Sequence, residues 1–166
     1  MSILVACIGN IFQGDDAFGC EVAKVLARRG LSPDVRVVDF GIRGIDLTYA
    51  LLDAPELTIL VDAVSRGGEP GTLYTIEPDL EDLEGAGETM GEQIMDAHTM
   101  HPLQVLRAVK RMGGRLGRVL LVGCEPADLG GPDGRMGLTP LVNGAIEQSA
   151  EMVESLIVRE LQEVSQ

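Results

Sequence analysis

The chain has 166 residues, of which 45% are hydrophobic and 3% aromatic, and its formal net charge is −13. This length suits one domain with a substantial core built from aliphatic residues. The negative charge argues against binding to nucleic acid or to an anionic membrane surface, since both need clusters of Lys and Arg. Because the first residues lack a charged leader region and every apolar run is too short to cross a bilayer, we expect a soluble cytoplasmic protein.

The apolar pattern predicts alternating strands and helices along the first half of the chain. A continuous apolar run at Ile3–Ile8 is typical of a strand buried on both faces. A glycine-containing loop leads from it into a predicted helix over residues 17–29. The further predicted elements are a strand at 36–40, a short helix at 46–52, a strand at 57–61 that ends in Asp62, and a strand at 72–76.

The second half opens with an acidic segment, residues 77–97, which has eight acidic residues and no basic one. We expect this segment to be an exposed loop. A helix is predicted from Pro102, a fifth strand at 119–122, and a long final helix that starts at Thr139 and Pro140. Because we see neither a repeat nor a linker, we predict a single α/β domain over residues 1–166, with a sheet between helical layers.

Three potential metal ligands lie near the predicted strand ends. Asp16 lies beyond the first strand, Asp62 ends the third, and His98 precedes the helix before the fifth. Ligands bind at the carboxyl ends of strands in open α/β sheets. Two carboxylates and an imidazole could therefore hold a divalent metal with positions open to an outside ligand. Taken singly, each aspartate is also an ordinary cap or loop residue, and Asp16 with Asp62 could instead act as an acid and base pair.

The loop at residues 8–19, IGNIFQGDDAFG, does not match a phosphate-binding loop. Its glycines are five residues apart, which differs from GxGxxG, and Gly-Lys-Ser/Thr is absent. Asp15 and Asp16 would also repel a pyrophosphate. One aspartate suffices to cap the following helix, which leaves the other free.

Nucleophilic catalysis has little support in the sequence. There is no GxSxG elbow. Cys7, Cys20 and Cys124 lie in apolar stretches without a CxxC pair, so we expect them to be core residues. His98 and His101 are three residues apart, and on a helical turn both could reach one metal.

Several blocks together resemble a known family, the nickel–iron hydrogenase maturation endopeptidases. The run ILVACIGN at residues 3–10, followed by GDDAFG at 14–19, closely resembles the opening motif of that family. Further similar blocks follow in order: Asp39 with Gly41 and Gly44, LVDAV at 60–64, Ala97-His98 before the helix at 102–106, GCEP at 123–126, and GLTP at 137–140. The resemblance covers about residues 2–157.

The resemblance implies the fold and the reaction. The implied fold is a three-layer α/β/α sandwich of the phosphorylase/hydrolase-like kind, whose five-stranded sheet is mostly parallel with one antiparallel strand. The implied activity is removal of a C-terminal extension from the precursor of a hydrogenase large subunit after nickel insertion. Cleavage past the Cys-rich motif that holds the metal would let the new C-terminus close the active site.

The resemblance also implies roles for residues. Asp16, Asp62 and His98 would ligate nickel that the substrate carries, so the free enzyme need not hold metal, and either Asp16 or Asp62 could activate water. Asp15 would cap the helix or brace the loop, and His101 would not be a ligand. The alternative from another class is a non-catalytic nickel-sensing chaperone of hydrogenase assembly.

Overall fold

The computed structural model describes residues 1–84 and 100–166, and five strands form one sheet. Every strand predicted from the apolar pattern is present, with ends that differ by one or two residues. The strands are β1 (Ile3–Ile8), β2 (Val35–Gly41), β3 (Leu57–Ala63), β4 (Leu73–Ile76) and β5 (Arg118–Cys124).

The helices flank this sheet. They are α1 (Phe18–Leu26), α2 (Gly44–Leu52), α3 (Pro102–Arg111), α4 (Pro140–Asn143) and α5 (Ile146–Val164), with short 3-10 turns at Gly14–Ala17 and Asp82–Glu84. Proline occupies the first position of α3 and α4, where its missing N–H is not needed. The predicted long final helix is divided into α4 and α5 at Gly144 and Ala145, and glycine is a weak helix former.

The strand order is β2-β1-β3-β5-β4. Four strands run parallel, and β4 pairs antiparallel with β5 at one edge. The predicted mostly parallel sheet with one antiparallel strand is therefore confirmed. From β1 the chain passes to β2 on one side and then to β3 on the other, so the loops after β1 and β3 diverge. Such a switch point leaves a crevice beyond the carboxyl ends of the two strands.

Two apolar layers cover the sheet, as the three-layer prediction requires. Alternate residues of β1 enter different layers because side chains alternate across a strand. Ile3, Val5 and Cys7 pack with α1 and α5, whereas Leu4 packs with α2 and α3. All six residues of β1 are buried, which explains its uninterrupted apolar sequence.

The acidic segment is only partly the exposed loop that we expected. In its described part, residues 77–84, the Leu83 side chain is buried against the α2 and α3 layer. Arg107 and Lys110 of α3 donate hydrogen bonds to the carbonyls of Leu83 and Leu80. Residues 85–97 of the segment lie outside the described residues. Across the two described ranges, no helix combines the length and apolar character needed to cross a membrane.

Candidate active site

Asp16 and Asp62 both lie at the switch point between β1 and β3. Asp16 belongs to the 3-10 turn that follows β1, and Asp62 is the penultimate residue of β3. The charge of Asp16 contributes to a raised pKa at Asp62, so the two carboxyl groups are near enough to interact. The structure therefore brings together two of the three residues predicted as metal ligands.

Both carboxyl groups hold their protons more strongly than usual. Asp62 is 8% exposed, and burial followed by the nearby charge of Asp16 raises its pKa well above the ordinary value, although the Ala63 N–H opposes this. Burial also raises the pKa of Asp16, opposed by a 3.0 Å hydrogen bond from the Asn10 N–H to its Oδ2. A cation placed between them would favour the ionised forms.

Within residues 1–84 and 100–166, neither carboxylate forms an ion pair with Lys, Arg or His. Most buried carboxylates are paired or coordinate a metal. In the same ranges no three His, Cys, Asp or Glu side chains are grouped to hold a metal. The third predicted ligand, His98, lies outside the described residues, so its role stays a prediction.

Two glycines allow the loop after β1 to lie directly on the strand ends. A Cβ on Gly9 would lie 2.1 Å from the Asp16 carbonyl oxygen. A Cβ on Gly19 would lie 2.1 Å from the Ile8 carbonyl oxygen and 2.5 Å from that of Val61. Contacts this close leave no room for a Cβ unless the backbone shifts, so glycine at these two positions permits the close backbone packing.

Asp15 is a brace and not a cap. Its buried carboxylate accepts hydrogen bonds from the N–H groups of Ala127, Asp128 and Thr139 at 2.7–3.0 Å, and from the Thr139 hydroxyl. Burial alone would raise its pKa, but these donors outweigh burial and lower it. The N-cap residues of the 3-10 turn and of α1, Gln13 and Ala17, form no side-chain capping hydrogen bond. Of the two roles predicted for Asp15, the structure has the loop brace.

The brace joins two loops that are far apart in sequence. Gln13 and Arg135 form an isolated parallel bridge, in which the Gly14 N–H donates to the Arg135 carbonyl at 2.8 Å. The Arg135 N–H in turn donates to the Phe12 carbonyl at 2.8 Å. Sequence reasoning missed this pairing, because neither segment has the apolar alternation of a strand.

Glu125 belongs to the GCEP block at residues 123–126, but the sequence alone does not predict its structural role. Its carboxylate is buried and accepts the Arg66 N–H at 2.8 and 3.1 Å. This contact fixes the loop that follows β3 and Asp62. An acidic residue directly after a buried strand and before a proline was the available signal.

The remaining residues considered as ligands or nucleophiles, His101 and the three cysteines, are not part of the carboxylate pair. His101 is exposed at the N-terminal end of α3. Cys7, Cys20 and Cys124 are buried and unpaired, which confirms the prediction of core residues. Burial raises the pKa of Cys20 to about 12 and that of Cys124 to about 11, and it raises the pKa of Cys7 as well. None of the three presents an accessible thiolate.

The fold and the site define a class of α/β protein with a carboxylate pair at the switch point, and comparison with known proteins names the class. The hydrogenase maturation protease family model matches residues 20–156. HupD of Rhizobium leguminosarum, a hydrogenase expression/formation protein, is 34% identical over 153 residues, covering 90% of this chain and 70% of its own. The hydrogenase 2 maturation protease of Escherichia coli is 29% identical over 154 residues, covering 92% and 88%.

Solved structures agree with these relatives. The hydrogenase maturating endopeptidase HybD of Escherichia coli superposes with a TM-score of 0.75 at 27% identity, covering 96% of this chain and 94% of that one. The chain therefore belongs to the hydrogenase maturation protease family. It is a peptidase, a hydrolase that cleaves a polypeptide.

Proposed function

We propose that this protease removes the C-terminal extension of a nickel–iron hydrogenase large-subunit precursor after nickel has been inserted. The observation that carries the proposal is the pair of carboxyl groups at the switch point, Asp62 buried and Asp16 half-buried, which have no ion-pair partner within residues 1–84 and 100–166. Such a couple is unfavourable in isolation and becomes favourable when a divalent cation neutralises it. Nickel bound to the precursor would be that cation, so it belongs to the substrate.

Asp16, Asp62 and His98 are the proposed ligands of the substrate's nickel. Oxygen and imidazole donors suit nickel, and three protein ligands leave positions for the thiolates of the precursor. Recognition of this kind would restrict cleavage to precursors that already carry the metal. The raised pKa of Asp62 supports this role, because the carboxyl group gains most from a cation that replaces its proton.

The hydrolysis proposed here needs no protein nucleophile. Water adds to the scissile carbonyl carbon, the C–N bond breaks, and the products are a new C-terminal carboxylate and the free amine of the extension. Asp16 or Asp62 would accept the proton of the water and return it to the leaving amine. The nickel carried by the substrate would polarise the carbonyl. The burial of all three cysteines is consistent with this assignment.

The test is a processing assay with purified protein and two precursors, one loaded with nickel and one without it. Loss of mass from the loaded precursor alone supports the proposal. Asp16→Asn, Asp62→Asn and His98→Ala should each lower the cleavage rate about 100-fold or more, as expected when a group needed for proton transfer or metal contact is removed. His101→Ala is the matched control and should retain most activity.

Two results would contradict the proposal. Binding of the loaded precursor without cleavage by the wild-type protein would favour the nickel-sensing chaperone. Loss of activity in His101→Ala with full activity in His98→Ala would show that the histidine ligand is misassigned. Thermal unfolding of each variant, measured in parallel, separates loss of chemistry from loss of fold.

A further inference from the structure

Five large apolar side chains are exposed on adjoining segments beside the candidate active site. They have exposed fractions between 44% and 74% and are Ile11, Phe12, Ile42, Ile45 and Tyr49. Single exposed apolar residues are ordinary, but a group on neighbouring segments is typical of a binding surface. We refer to these five residues as the apolar surface.

Three residues of the apolar surface line a groove of about 260 Å³ between the loop after β1 and the loop after β2. Ile11 and Phe12 line one side of it, and Ile42 lines the other. Ile45 and Tyr49 lie further along the chain on α2, where residues four apart share one face of the helix.

The groove begins at the residue that holds Asp16. Asn10 lines the groove, and its N–H donates to Asp16 Oδ2 at 3.0 Å. Asn10 therefore connects the groove to Asp16. The groove is thus adjacent to the proposed nickel contact.

The backbone beneath the groove is fixed. The Phe12 N–H donates to Asn10 Oδ1 at 2.9 Å, and the Phe12 carbonyl accepts the Arg135 N–H at 2.8 Å. On the other side the Arg43 guanidinium donates to the carbonyls of Asp39 and Phe40 at 2.6 and 3.1 Å. A groove held in this way loses little conformational freedom on binding.

We infer that the apolar surface receives an apolar stretch of the precursor polypeptide next to its nickel-bearing residues, and so contributes to substrate selection. The inference rests on the proposed function, because that function supplies the polypeptide and places its metal at Asp16. A second copy of this chain is a poorer occupant, since each copy carries a net charge of −13 and two copies repel each other.

The test compares Phe12→Ala, Ile42→Ser and their combination with Val158→Ser. Val158 is the matched control, because it has the same 52% exposure as Ile42 but lies on α5, in the opposite helical layer. With nickel-loaded precursor, the double variant should raise KM about tenfold or more, the size expected for an anchor of a protein interface, while kcat stays within about twofold. Val158→Ser should leave both constants unchanged.

The outcomes separate this inference from the proposed function. If the wild-type protein cleaves the precursor and the double variant keeps the wild-type KM, the inference is wrong and the function stands. If the wild-type protein binds the precursor without cleaving it, the function fails, and weaker binding by the double variant still supports the docking surface. A wild-type dimer that becomes monomeric in Ile45→Ser would assign the surface to a second copy and overturn the inference.

Discussion

Asp15 and Asp16 are adjacent in the chain, yet their surroundings shift their pKa values in opposite directions. Hydrogen bonds from Ala127, Asp128 and Thr139 lower the pKa of Asp15 against the effect of burial. Burial raises the pKa of Asp16, whose carboxylate accepts one backbone N–H among the described residues, that of Asn10. One carboxylate is thus committed to structure, and its neighbour remains available for a cation.

We predict that Asp15→Asn destabilises the protein. The amide would place an NH₂ group opposite N–H donors that now share a carboxylate. The free energy of unfolding in urea at neutral pH should fall by about 2–3 kcal/mol, the range for hydrogen bonds to a charged group. Asp133→Asn makes the same charge change in an exposed part of the partner loop and should leave the free energy of unfolding near the wild-type value.

The difference in the free energy of unfolding between the wild-type protein and Asp15→Asn depends on pH with a definite sign. Because folding lowers the pKa of Asp15, its stabilisation is fully present above about pH 4, near the pKa of an unfolded aspartate. The stabilisation is lost as the pH falls through the lowered pKa, since protonation then favours the unfolded chain. The gap between the wild-type protein and Asp15→Asn should narrow below about pH 4, and a gap that widens there would contradict the brace.

The thiols allow a separate prediction. Cys7, Cys20 and Cys124 are each at most 2% exposed, and their raised pKa values leave almost no thiolate near pH 8. A colorimetric thiol reagent should therefore titrate no cysteine in the native protein and three in denaturant. Prior treatment with iodoacetamide should leave precursor processing intact, and its loss would reopen the case for a cysteine nucleophile.

At the scale of elements, the position of α1 depends on how closely its first turn approaches the sheet. Gly19 lies against the carbonyls of Ile8 and Val61. Ile8 is the last residue of β1, and Val61 lies near the end of β3. The same strands carry the loops that present Asp16 and Asp62. The N-terminal end of α1 therefore packs against both strands that lead to the two carboxylates.

We predict that Gly19→Ala lowers the free energy of unfolding by about 1–3 kcal/mol, the cost of overpacking a close contact. The added methyl would meet backbone atoms, which cannot move aside as a side chain can. Gly30→Ala is the matched control, since no heavy atom lies within 4 Å of a Cβ built there. Equal unfolding midpoints for the two variants would refute the close-approach explanation.

At the scale of the whole molecule, the sequence was most informative where burial dictates the residue type. β1 is buried on both faces and reads as one apolar run, so its position was predictable. The packing of Leu83 was not, because one leucine within an acidic segment carries no periodic signal. The sequence places Asp62 at a strand end. Predicting that Asp62 lies near Asp16 also requires the order of the strands in the sheet.

The brace was half predictable for the same reason. One aspartate is enough to cap a helix. Two consecutive aspartates before a helix therefore indicate that one of them has another role. The partners of Asp15 lie more than one hundred residues further along the chain, and a single sequence without strand-like alternation in either loop does not reveal such a pairing. Local chemistry was visible in the sequence, and long-range pairing was not.

The hydrogen bond between Asp15 and Thr139 spans 124 residues of a 166-residue chain. During synthesis the first loop leaves the ribosome long before Thr139 exists, so the nascent chain carries Asp15 without the loop that binds its carboxylate. Contacts of such long sequence separation also close late in refolding, because the entropy of loop closure must be overcome first. The contact between Asp15 and Thr139 is therefore expected to be among the last to form as the chain folds.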